Sequence, residues 1–388
     1  MQRDRFTWLA YTMLATWAYL QASLGPAMPF LRVELDLNYT TAGLHFSAFA
    51  FGAVLTGLFS DRWAARFGRG RMFWGCGTAL AASSLLLTGG WQPGVTILAA
   101  FLMGLFGSSL LVMIQAALAD RHNEQRAIAF TEANIGAMAA AALAPILIGG
   151  GQQIGAGWRL AFWTAVAIFI LLLILFRREP IPEKLTGVTA GSAEAQSGPL
   201  PAAFWAYWLM LVLGVAVEWC IIYWGADFLE NNTGLLTSQA ASAMSLFFLG
   251  MLAGRVLGSL LARRRPVNWL LLAAVIIATL GFPLFWLTGV SWLTVVGLFV
   301  TGLGVANLYP ISLAAATAVA PQRAATISAR LVLGAGSAVL ITPILMGWLA
   351  DQTSIGQAFG VVAALLGIML LLAFNAYRAG ERRHSYDG

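Results

Sequence analysis

Twelve apolar stretches, each close to the length that crosses a bilayer, recur along this 388-residue chain and restrict its fold more than any other feature. They run at about 6–31, 41–61, 72–90, 94–118, 127–151 and 159–176, and then at 203–229, 238–261, 269–288, 291–319, 324–349 and 357–377. A spanning helix needs roughly 20 mostly apolar residues. In lipid every backbone polar group must be satisfied within the spanning structure, which favours helices for runs of this length. Only 10% of the residues are charged, against about 25% in a soluble domain. The pattern predicts an all-α membrane protein of twelve transmembrane helices in two pseudo-symmetric six-helix bundles.

Between the sixth and seventh stretches lies Arg177 to Pro201, with Pro180, Pro182, Gly187, Gly191, Ser192 and Pro199. Such a segment reads as a water-exposed linker. It divides the chain into an N-terminal bundle (1–176), a linker (177–202) and a C-terminal bundle with a short tail (203–388). The first apolar run reaches Phe30 and has no small-residue cleavage site, so it reads as a membrane helix and not as a signal peptide. Arginines set the expected orientation. With the N-terminus inside, Arg3, Arg5, Arg62, Arg66, Arg69, Arg71, Arg121, Arg126, Arg177 and Arg178 share the cytoplasmic side with Lys184, Arg263, Arg264, Arg265, Arg323 and Arg378. Only Arg32 and Arg159 fall opposite. Short basic loops stay in the cytoplasm, which places both termini and the linker there and the protein in a bacterial-type inner membrane. The net charge of +6 is thus topological and needs no nucleic-acid partner.

The halves repeat each other. A shift of 198 positions lays Ala144-Pro145-Ile146-Leu147-Ile148-Gly149 over Thr342-Pro343-Ile344-Leu345-Met346-Gly347, Gly104 over Gly302, and Phe30-Leu31 over Phe228-Leu229. Parallel repeats about an axis normal to the membrane place a binding site between the halves near the midplane.

Glu218 is the most informative residue. A carboxylate in the middle of a spanning helix is costly and implies a role. It could carry a coupling proton, bind a cation, or accept hydrogen bonds from solute hydroxyls; a structural hydrogen bond between helices is the plainer reading. Gln21, Gln115, Tyr223, Trp224, Asn307, Tyr309 and Asn134 are candidate walls of a solute cavity, since amides serve hydroxyls and aromatic faces suit a sugar ring or a flat drug. Trp219 follows Glu218 directly and lies about 100° round the helix from it, so Tyr223 or Trp224 is the expected neighbour. His45 reads as structural. No basic residue is expected at cavity depth, which disfavours anionic solutes.

The composition excludes other classes. There is no HExxH, GxSxG or GKS/T motif, and the one lysine, Lys184, sits in the linker, so neither an embedded hydrolase nor an ATP-driven pump fits. Cys76 and Cys220 lie in apolar runs and read as packing. No metal or other cofactor is implied. The expected partners are a small-molecule solute, protons and the bilayer, with the protein acting as a monomer.

After the second stretch comes Gly57-Leu-Phe-Ser-Asp61-Arg62-Trp-Ala-Ala-Arg66-Phe-Gly68-Arg69-Gly70-Arg71. This resembles the signature of the major facilitator superfamily over a chain whose likeness runs from about 6 to 378. A weaker copy reads Gly250-Met-Leu-Ala-Gly254-Arg255 and then Arg263-Arg264-Arg265. Val217-Glu218-Trp219 with Tyr223-Trp224, and Gly302-Leu-Gly304-Val-Ala-Asn307-Leu-Tyr309-Pro310, are loosely similar to the fucose-permease-like branch of sugar:proton symporters. The resemblance implies alternating-access transport of a small neutral solute, such as a sugar-like one, coupled to protons through Glu218. Proton-driven efflux of an apolar or cationic compound, and facilitated uniport, remain open. It also implies a cytoplasmic gate of Asp61, Arg62, Arg66, Glu132, Arg255 and Arg330, in which Glu132 meets Arg255 and Arg330 meets Asp61 when that side closes.

Overall fold

The computed structural model describes residues 1–183 and 200–384, apart from the side chains of Asp61, Ala325 and 379–384. Lys184 and Ser192, expected in the linker, lie outside the described residues, as does the Asp61 side chain. The first half holds α1 (Arg5–Leu35), α2 (Tyr39–Phe67), α3 (Arg69–Gly89), α4 (Pro93–His122), α5 (Arg126–Gln153) and α6 (Arg159–Phe176). The second holds α7 (Ala202–Thr233), α8 (Thr237–Leu261), α9 (Val267–Trp286), α10 (Ser291–Val305), α11 (Leu308–Val319), α12 (Ala324–Gln352), α13 (Ile355–Ala358) and α14 (Gly360–His384).

Among the described residues, ten stretches are long and apolar enough to cross a membrane. One of them, Pro93–Gln153, contains both α4 and α5, which a turn at Asn123–Gln125 separates. Together with α1, whose 31 residues include the polar Gln21, Ser23 and Glu34, these give the twelve crossings. The tenth crossing is α10 followed by α11. The break between them has a cause in Pro310, which cannot donate to the carbonyl of Ala306 and crowds it. Asn307 stands at the break and donates its side-chain amide to the Gly254 carbonyl at 2.6 Å. The second expected cavity residue of this region, Tyr309, packs partly buried against Leu200, Phe204 and their neighbours. So Asn307 ties the broken helix to α8 in this conformation and is not in the cavity lining described below.

The 198-residue offset holds in three dimensions. The starts of α2 and α8, α3 and α9, α4 and α10, and α5 and α12 are each 198 positions apart, as are the short turns at Asn123–Gln125 and Pro321–Arg323. Close approaches repeat too. A Cβ at Gly52 would meet the Phe101 carbonyl and the Leu105 amide; one at Gly250 would meet those of Phe299 and Leu303. Gly104 lies against the Phe49 carbonyl and Gly302 against that of Phe247. Small residues let helix backbones meet closely, which drives packing where lipid supplies no hydrophobic force between helices.

This register corrects the motif alignment. Gly250 corresponds to Gly52 and not to Gly57, so Arg255 corresponds to Gly57 and not to Arg62. At 1.5 Å per residue, Arg255 sits about 7 Å deeper in its helix than the motif likeness implies.

Candidate functional site

The helices start alternately on two faces. The face with Met1 and the arginine-rich loops is termed the proximal face, and the opposite one the distal face. A cavity of about 180 Å³ lies between the halves, near mid-depth. A single water needs roughly 10–15 Å³ on this measure, so the space takes a small solute. Ala18, Gln21 and Ala22 come from α1, and Asn134, Ala137, Met138 and Ala141 from α5. Glu218, Trp219 and Ile222 come from α7, and Phe248, Met251 and Arg255 from α8. The three- and four-residue spacings mark one stripe of each helix. Two helices of each half therefore build the wall.

Glu218, Gln21 and Asn134 stand where the sequence reading places them. Tyr223 and Trp224 do not. From Glu218, at about 100° per residue, Tyr223 lies about 140° round the helix and Trp224 about 120° the other way. Both are farther round than Trp219, and both are fully buried. Trp219 is the aromatic residue in the wall. A cavity shared by four helices exposes a broad arc of α7, wide enough for two successive residues. Gln115 is exposed on α4 and is not part of this lining. Tyr309 is outside the lining but within electrostatic range of Glu218. His45 is fully buried between the Thr41 carbonyl and the Thr96 hydroxyl, at 2.9 and 2.8 Å, which fits a structural role.

Arg255 overturns the expectation of a cavity without basic residues. Its side chain is exposed in the wall and within electrostatic range of Glu218. Other arginines gave no warning of this in the sequence; only the depth of α8 reveals it.

The distal end of the cavity is sealed by contacts between the halves. Arg32 of α1 donates to the fully buried Asp227 of α7 at 2.5 Å. Its guanidinium also lies 3.5 Å from the centroid of the Tyr39 ring. Phe46 of α2 stacks on Tyr223 with centroids 4.1 Å apart and meets Trp224 edge-on at 5.2 Å. Asp351, at the end of α12, accepts the amide hydrogens of Tyr39 and Thr40, both at 2.8 Å. A carboxylate there satisfies free amides and favours the positive end of α2. Ser47 donates to the Leu340 carbonyl at 2.6 Å. Glycines let the backbones touch: Gly25 meets Ile222 and Tyr223, Gly149 meets Ser238 and Ser242, and Gly347 meets Tyr39 and Thr40. Gly149 and Gly347 are again 198 positions apart. None of Arg32, Asp227 or Asp351 was singled out as a site residue from sequence.

This plug holds unsatisfied groups. Arg32 Nε, Asp227 Oδ2, Tyr223 Oη and Trp224 Nε1 are buried without hydrogen-bond partners. The closed plug is held by packing, by the Arg32–Asp227 pair and by the Asp351 and Ser47 hydrogen bonds.

At the proximal face, the expected pairing of Glu132 with Arg255 is not made. Glu132 is bound within its own half, by Arg3 at 2.7 Å and by the Tyr11 hydroxyl at 3.1 Å. Its expected partner Arg255 is in the cavity wall. Arg330 is exposed, its guanidinium 5.6 Å from the Trp205 ring centroid, and Arg62 and Arg66 are exposed. Arg69 pairs with Asp120 and donates to the Pro182 carbonyl at 2.7 Å, fixing the α2–α3 turn to α4 and to the chain after α6. Asp4, ahead of α1, pairs with Arg121. Burial works against its charge, but hydrogen bonds from Thr7 and Arg121 prevail and hold its carboxyl below the usual carboxylate range. The conformation is thus closed distally, with Glu132 and Arg255 apart at the proximal side.

Gly25 offers a direct test of the seal. Gly25→Leu would drive a side chain into the Ile222 carbonyl and is expected to hold the distal face open. A cysteine at Ser47, buried here, should then gain reactivity toward an impermeant thiol reagent from the distal side. Native Cys76 and Cys220 are buried and should contribute little signal. Unchanged labelling would mean the close approach is not needed for sealing.

A family model described as Major Facilitator Superfamily matches residues 7–329 and 208–387. An "Uncharacterized MFS-type transporter" of Yersinia pestis is 24% identical, covering 89% of each chain. A "Probable sulfoacetate transporter SauU" of Cupriavidus necator is also 24% identical, covering 95% of each. Among solved structures, a bacterial homolog of the human lysosomal transporter Spinster, in an inward-facing and occupied conformation, aligns over 97% of this chain and 98% of that one. Its TM-score is 0.76 at 18% identity.

Proposed function

This chain belongs to the Major Facilitator Superfamily, and from that premise we propose that it moves a small polar solute through the Glu218 cavity by alternating access, coupled to protons. The protein is a multi-pass secondary transporter and not an enzyme. The position of Glu218 carries the finer reading: it is the one carboxylate in the cavity wall among the described residues, shared between halves that must move apart. Gln21 and Asn134 supply donors and acceptors, and Trp219 supplies a flat apolar face. These suit a neutral, sugar-like solute. The small, charged cavity disfavours efflux of a bulky apolar compound. Arg255 favours a second reading, a small organic anion, and one relative is described as a probable sulfoacetate transporter.

In this reading the proximal face is cytoplasmic. Arg62, Arg66, Glu132 and Arg330, with Asp61, surround its mouth and close it when the distal plug opens. Orientation is checked at Ser192. A cysteine there should be shielded from an impermeant reagent in intact cells and should label after permeabilisation. Labelling from outside would reverse the orientation.

The function is tested in proteoliposomes with and without an imposed pH gradient. Acid outside should drive accumulation of at least one solute from a panel of sugars, polyols and small organic acids. Equal uptake with and without the gradient for every transported solute would remove proton coupling and leave uniport.

A further inference from the structure

Arg255 is the one cation in the cavity wall among the described residues, and its side chain makes no ion pair or hydrogen bond there. Several other arginines are matched, Arg32 with Asp227, Arg69 with Asp120 and Arg159 with Glu34, while Arg62, Arg66 and Arg330 are exposed outside the cavity wall. An unmatched guanidinium within a spanning helix is costly and marks a functional position. Glu218 is close enough to feel its charge but is not in contact with it.

We infer that the solute carries a carboxylate or sulfonate group that binds Arg255, and that Glu218 favours its entry only after taking up a proton. This rests on reading the cavity as the transport site. A guanidinium offers a planar fork that matches such oxyanions with two parallel hydrogen bonds. The groups facing Glu218 are few. Arg255 comes from α8 and Tyr309 from α11, while α1 and α5 present the neutral Gln21 and Asn134. With Glu218 ionised, its charge offsets that of Arg255 and repels an incoming anion. With Glu218 protonated, Arg255 is left uncompensated and attracts one. The linkage is reciprocal, so the bound anion in turn favours the proton on Glu218. The proton enters from the bulk with the solute and leaves to the bulk on the other side; no other group changes charge. The loaded cavity then holds Arg255 and one solute anion, with Glu218 neutral. The empty one holds Arg255 and ionised Glu218. Both are balanced, which suits them to crossing a low-dielectric seal. Gln21 and Asn134 remain to bind further polar groups of the solute, and Trp219 to cover its carbon skeleton.

The test is solute binding to the purified protein, read as a shift in melting temperature. The probes are acetate, lactate, malonate and 2-hydroxyethanesulfonate, each beside a neutral amide or alcohol of the same shape. At least one anion should bind at about pH 5.5 and weaken at about pH 7.5 by a factor within the roughly 5–150-fold span of ordinary couplings. Glu218→Gln should bind that anion at both pH values with the affinity that the unmodified protein shows in acid. Arg255→Gln should lose anion binding, and Arg255→Lys should recover part of it. A variant that fails to fold is recognised by its melting transition in the absence of solute, and the Lys variant and the pH series then decide. The inference is overturned if no anion binds, if the neutral analogues bind as tightly, or if Arg255→Gln binds anions unchanged. Loss of the inference leaves the transport reading standing if a neutral solute still accumulates under a pH gradient through Glu218. Failure of both would show as no gradient-driven uptake of either class.

Discussion

Asp227→Ala is expected to unlock the distal face and reduce transport by about two orders of magnitude or more. Removing one partner of a buried ion pair costs about 3–5 kcal/mol, because the other charge is left uncompensated. Here the stranded charge is Arg32, which is mostly buried beside the Tyr39 ring. Its ion pair joins α1 to α7 and therefore one half to the other. Opening the distal face would hydrate Arg32, so the penalty falls on the closed state and not on the fold as a whole. Each 1.4 kcal/mol is a tenfold change in a population ratio, and the seal is expected to become a minor state. Distal labelling of a cysteine at Ser47 should rise as turnover falls. Replacing both partners, Arg32→Met with Asp227→Leu, should restore closure, since apolar residues can substitute for a buried pair. Transport and labelling in Asp227→Ala indistinguishable from the unmodified protein would show that the pair does not hold the seal.

Glu218→Gln is expected to abolish accumulation against a gradient while sparing exchange. Glutamine imitates the neutral acid in shape and hydrogen bonding but cannot release a proton. The variant should therefore load solute, cross, and exchange it for solute on the far side. Its return empty would leave Arg255 in the cavity with no anion beside it, an unfavourable passenger through a sealed state. Net uptake should stop at equal concentrations inside and out, whatever the proton gradient. Accumulation by the variant under an imposed gradient would remove Glu218 as the coupling group. Loss of exchange together with uptake would instead make Glu218 a ligand of the solute.

The spans, the twofold repeat and Glu218 as a candidate for a cavity wall were legible in the sequence. Lipid is a severe solvent: it demands runs of about 20 apolar residues and helical hydrogen bonding, and both demands are local. The repeat was legible because each half solves the same packing problem with the same glycines, as Gly52 and Gly250 do. Glu218 stood out because a carboxylate amid apolar residues has no cheap explanation.

What the tertiary structure decided was which side of each helix faces what. Lipid and protein interior are both apolar, so hydropathy around α7 does not tell Trp219 in the wall from Tyr223 in the plug. The roles of those two residues had to come from the packing of α7 against α1, α2 and α8. The depth of Arg255 likewise needed the contacts of Gly250 on α10, since two glycine-containing motifs can be matched five residues apart by eye. Arg32, Asp227 and Asp351 looked like ordinary end-of-helix charges. Their meaning lies in partners 195 or 312 positions away, a distance that only the docking of one half on the other can close.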